Sequence, residues 1–188
     1  MAYGAGNHRH SKEILRAMYN YWLCAFLCTL LTYAGIAQDP FLQDLGLKWT
    51  GGSTYLLQLA ETVPEEHFDF RPTPEQMSLG EQLRHMAGNV SWLTTDYLHG
   101  DGLSRASIDA ALSKAETMAV LKASLEGAGS AIRQLDPAAL DEEVSFFAGP
   151  MSRRRILFLL NDHLTHHRGQ LVVYLRLLGL KPPPYRGW

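Results

Sequence analysis

Thiols are almost absent from this chain. Only two cysteines occur, Cys24 and Cys28, and both fall within the first forty residues. From residue 41 onward there is no disulfide, no thiolate ligand and no cysteine nucleophile, so any metal must be held by nitrogen and oxygen. Excess charge is scarce as well: 17 Lys and Arg stand against 19 Asp and Glu, a formal net charge of −2 at pH 7. Nucleic-acid binding normally shows as a strongly basic face. The one basic cluster, Arg153-Arg154-Arg155, should fan around a helix axis as a solvated helix start, so no nucleic-acid partner is expected. Repeats and low-complexity tracts are missing, which excludes a solenoid. What remains is 188 residues with 46% hydrophobic content, one domain's worth of chain able to bury a core.

The first forty residues differ from the rest. Arg9, Lys12 and Arg16 precede the apolar run Tyr21–Tyr33, and the small residues Ala34, Gly35 and Ala37 follow. A charged region, a short apolar region and small residues before the cut make a signal peptide over residues 1–37, with cleavage after Ala37. The run is short for a membrane span; an uncleaved anchor is the second reading, and a helix packed on the domain the third. A lipobox is not evident, because Phe26-Leu27 before Cys28 lacks the small residue needed there. The protein is therefore expected to be exported, periplasmic or secreted, with membrane contact only if this segment stays attached. Expressed intact in a bacterial host, the exported chain should begin at Gln38; soluble cytoplasmic protein with an intact N-terminus would reject this.

Residues 38–188 read as an all-α four-helix bundle. The first helix, about Phe41 to Val63, places Leu45, Trp49, Leu56 and Ala60 on one face, with Gly51-Gly52 as a local weakness. Pro64, Pro72 and Pro74 enforce a loop. Ser78 and Glu81 form a capping-box pair ahead of Leu79, Leu83, Met86, Val90, Leu93 and Tyr97. Gly100-Asp101-Gly102 ends that helix. Another capping box at Ser113 and Glu116 opens a third, whose Leu121, Leu125, Ala128 and Ile132 form a bundle seam. The connection from Ala138 to Pro150 carries Phe146-Phe147 and suits a lid or short hairpin over one end. The last helix, about Ser152 to Leu178, carries its stripe on Ile156, Leu160, Leu164, Leu171 and Tyr174.

That last helix holds the chemistry. His163 and His167 are four residues apart, so both imidazoles leave the same face and can grip one ion. A helical wheel places them within the apolar stripe and turns His166 roughly 110° away. A lone inward His is usually a hydrogen-bonded core residue; two together are costly to bury without a ligand. His85 is the leading third ligand, although its helix puts it about 120° from the stripe centre, at the edge beside Asn89 and Trp92. His99 reads as surface and His67 as a loop residue. Gln170 lies near the ligand face and can orient a ligand or a water; Asp162 and His166 lie off that face and are candidates to support the ligands or carry protons.

The segments Phe68-Asp69-Phe70-Arg71-Pro72, Ser78 to Met86, and His163-Leu164-Thr165-His166-His167-Arg168-Gly169-Gln170 resemble the DinB/YfiT-like family of metalloenzymes. The similarity runs from about Phe41 to Pro184. It implies a four-helix bundle with a three-histidine site for a divalent ion, zinc, nickel or iron, held here by His85, His163 and His167. Some relatives are thiol-dependent transferases or isomerases. Export argues against that reaction here, because low-molecular-weight thiols are scarce outside the cytoplasm. Leu164 stands where a zincin needs its Glu base, so the chain is no zincin. The expectation is a metal-dependent hydrolase or transferase acting on a small molecule of unspecified structure, with no catalytic base assigned. A non-catalytic, stress-related metal-binding bundle is the alternative, and composition leaves a homodimer open.

Overall fold

The computed structural model describes residues 14–23, 39–111 and 113–186. The chain divides into two compact units, Met1–Gln38 and Asp39–Trp188. In the first, residues 14–23 are helical. The end of the apolar run and the cleavage point after Ala37 lie outside the described residues. Among those described, no helix is long and apolar enough to cross a membrane.

The second unit is built from four long helices: α1 (Pro40–Thr62), α2 (Leu79–Tyr97), α4 (Lys114–Gln134) and α5 (Arg153–Leu177), with a short α3 (Arg105–Asp109) between α2 and α4. Helices α1 and α2 each pack against both α4 and α5, which closes a ring of four around one core. Each start is chemically specified. The Asp39 carboxylate accepts from the backbone of Phe41 and Leu42, with Pro40 at the first helical position. Ser78 and Ser113 close full capping boxes with Glu81 and Glu116, and Ser152 caps α5. The core is the expected stripes brought together: Leu56, Leu83, Met86, Leu121, Ile132 and Ile156 are all fully buried.

Two details depart from the sequence reading and one bears it out. Helix α1 runs unbroken through Gly51-Gly52, and the glycine at 52 makes room for the Arg168 guanidinium: a Cβ there would lie 2.7 Å from Nη1. Arg168 is buried, lies over the Tyr55 ring at 5.6 Å, and needs that bare stretch of backbone. The arginine cluster is not uniformly solvated. Arg153 is buried; it donates to the Tyr97 carbonyl at 2.9 Å, bridges to Glu142 and meets His99 Nε2 at 2.6 Å. It ties the end of α2 to the start of α5, and exposed His99, at a left-handed φ of 56°, serves that tie. The Ala138–Pro150 connection is indeed a short hairpin, β1 (Glu143–Val144) pairing antiparallel with β2 (Met151–Ser152). Its Phe146 is buried and stacks on Trp92 of α2 at 5.8 Å, whereas Phe147 is 84% exposed.

Candidate metal centre

Helices α2 and α5 are direct neighbours, and their packing brings His85 to the pair on α5. His163 and His167 follow Leu160 and flank Leu164, both sealed in the core, so the α5 stripe carries them inward. On α2, Leu83 and Met86 are fully buried on either side of His85, which lies half-buried at the stripe's edge. The ring centroids are 4.5 Å apart for His163 and His167, 4.7 Å for His85 and His167, and 5.0 Å for His85 and His163. One ligand nitrogen from each of the three falls within 4.8 Å of the others, a group able to hold a metal ion. The Nε2 atoms of His85 and His163 are 3.1 Å apart. Two nitrogens about 2.0–2.1 Å from a shared tetrahedral ion stand roughly 3.4 Å apart, so this spacing fits one ion with little ring movement.

The environment keeps these rings neutral. Burial, then the neighbouring imidazoles, pushes His163 down to about 4. His167 falls to about 4 by burial and the charge of His85, with the Gln170 bond opposing. Burial and the nearby Arg105 cation lower His85. A neutral imidazole is the form that ligates. One tautomer is also set: His167 Nδ1 meets Gln170 Oε1 at 3.0 Å and buried Gln82 Oε1 at 3.4 Å. Both partners are amide acceptors, so Nδ1 carries the proton and Nε2 presents its lone pair. His163 Nδ1 is buried with no hydrogen-bond partner among the described residues, the kind of orphaned atom that accompanies ion or water sites.

These lowered values make the metal-free protein pH-sensitive. An unfolded histidine titrates near 6.5, whereas native His163 and His167 resist protonation until about 4. Between those values the unfolded chain binds more protons, so stability falls as pH drops from about 6.5 to 4 and levels off above the window. Urea midpoints of metal-free protein across this range should show the slope, and His163→Gln/His167→Gln should flatten it. An unchanged slope in that variant would assign the effect to other titrating groups.

His85, His163 and His167 converge, with Gln170 on His167; His166 is exposed, its ring 4.9 Å from that of His167 and its Nε2 3.1 Å from Gln170 Nε2, and Asp162 is exposed. His67 stays in the loop, in the short turn Glu65–His67. Gln82 was missed by sequence reasoning. It lies three positions before His85 on the same face of α2 and is 2% exposed; a polar residue inside an apolar stripe was the available signal. Arg105 was missed too, since nothing in a five-residue helix points to α2.

Comparison with known proteins bears on both fold and family. A sequence model described as DinB superfamily matches residues 49–171. The uncharacterized protein YjoA of Bacillus subtilis is 26% identical over 136 residues, covering 68% of this chain and 84% of that protein. The crystal structure of that DinB-like protein superposes with a TM-score of 0.64 at 22% identity, over 76% of this chain and 96% of the other. A DinB-like protein from Bacillus cereus gives 0.64 at 21% identity, over 73% and 92%.

Proposed function

The chain belongs to the DinB superfamily, and from that premise we propose that His85, His163 and His167 hold one divalent ion, zinc, nickel or iron, in a metal-dependent enzyme of hydrolase or transferase type. The observation that carries the proposal is the triad's position. Its three nitrogens converge, yet His85 also lines a cavity of about 520 Å³. A structural ion is enclosed by four protein ligands, whereas a catalytic one has three and faces space for substrate. Such an ion would supply Lewis-acid polarisation of a substrate oxygen or sulfur. The chain's own groups do the rest. Gln170 and Gln82 hold the His167 proton at Nδ1 and aim its Nε2, and the surrounding leucines limit water on the core side. Imidazole suits all three metals, so supply and geometry choose among them.

Export through residues 1–37 is part of the proposal and favours hydrolysis over transfer to or from a small thiol. The rival is a non-catalytic bundle in which the ion ties α2 to α5, a role the same bridging position supports. Cobalt-loaded protein separates the two. Addition of azide should shift the visible spectrum if a coordination position is open, and a hydrolase and thiol-transfer screen should then find turnover. A spectrum indifferent to azide and to small thiols would favour the rival.

A further inference from the structure

Two cavities reach His85, and they meet at one arginine. The larger, about 520 Å³, follows α2 and is walled by Trp92, Leu103 and Ile108. The other, about 410 Å³, is polar and lies toward Arg71 and Arg84. His85 and Arg105 are the two residues that line both. The Arg105 side chain is 70% exposed and ion-paired with Asp109, one turn along α3, to which its Nε donates at 3.0 Å. Its Nη1 lies 3.0 Å from where a Cβ on Gly88 would stand, so the guanidinium rests on bare helix backbone. Gly88 follows His85 by three positions, which puts that guanidinium one turn along the same face of α2. Among the described residues, its two terminal nitrogens make no hydrogen bond.

The cavity is graded in character. Asp96, at its other end, is eleven positions beyond His85, roughly 16 Å along the helix axis. The arginine therefore stands at the His85 end, with its Nε side paired to Asp109 and its terminal nitrogens left for a ligand. Between the two ends lies Trp92, its ring fixed by stacking on Phe146. A volume of this size suits a small organic ligand, and an aromatic wall favours a flat apolar body.

We propose that the larger cavity selects a small anionic ligand with an apolar, ring-sized body, its carboxylate-like group on Arg105 beside His85 and its body against Trp92. The inference rests on the triad being the reactive centre, but binding itself needs only the cavity and the arginine. A guanidinium meets a carboxylate through paired N–H donors, which a neutral amide of the same shape cannot exploit as fully. Arg105 is thus a specificity-determining residue.

The test uses full-length protein, metal-free and zinc-loaded, with phenylacetate and its neutral isostere phenylacetamide as calorimetric probes. Phenylacetate should bind saturably and about tenfold or more tighter than the amide, in both metal states. Arg105→Gln should erase that preference while leaving amide binding intact, Arg105→Lys should retain part of it, and Trp92→Ala should weaken both probes. Failure of the triad to bind metal leaves these results unchanged, so the two readings fail separately. Phenylacetate binding that needs zinc and ignores Arg105→Gln would put the anion on the ion and overturn the proposal. Equal affinity for both probes, or no binding of either, would overturn it as well.

Discussion

Alanine at both His163 and His167 is expected to abolish stoichiometric divalent-metal binding, from close to one ion per chain to none. Each single replacement should end tight binding, and His85→Ala should weaken it severely. The reason lies in the geometry: among the described residues, nitrogens of these three histidines within 4.8 Å form the group able to hold an ion, and the domain has no cysteine to substitute. Loss of one ligand from three leaves a two-imidazole site that competes poorly with water and buffer. His166→Ala is the internal control. That ring is exposed and outside the converging group, so the variant should keep its metal. Metal analysis of the purified proteins decides the matter. Full metal content in the double variant would remove the site from these residues.

The second large effect is on stability. Metal removal should lower the melting temperature while leaving a helical, cooperatively melting protein. An ion bound only by the native state stabilises it by about 4 kcal/mol at a thousandfold excess over its dissociation constant. For a domain of this size that corresponds to a shift of roughly 10 °C. The fold should survive without it, because the ring of helices is sealed by apolar residues that are not part of the triad. Leu121, Ile132, Leu56 and Leu140 are fully buried, and the Trp49 indole donates to the Leu125 carbonyl at 3.0 Å. Circular dichroism before and after chelation, then after metal is restored, gives both readings. Collapse of the helical signal would make the ion structural and favour the non-catalytic rival. An unchanged melting temperature after proven metal loss would contradict a bridge between α2 and α5.

Much of the site and nearly all of the helical framework were legible in the amino-acid order, because local chemistry dictates them. Serine followed three residues later by glutamate marks both capping boxes, whichever helices the ends face. The spacing of Leu160, Leu164, His167 and Leu171 puts the α5 histidines on the buried side by helix geometry alone. Periodicity says which face is inward; it does not say which helix lies opposite. That is why His85, at the edge of its stripe, needed family resemblance to be singled out, and why only the packing of α2 on α5 brings its Nε2 to His163. The same limit hid Gln82, whose use depends on the ring it meets, and Arg153, whose partners come from α2 and the segment before the hairpin. It also hid the use of glycine at 52, where the buried Arg168 guanidinium of α5 comes in. Sequence by itself determined the elements and the inward histidine pair; tertiary structure decided the third histidine, the hydrogen bonds that aim the rings and the cavity they face, because each depends on distances between segments far apart in the chain.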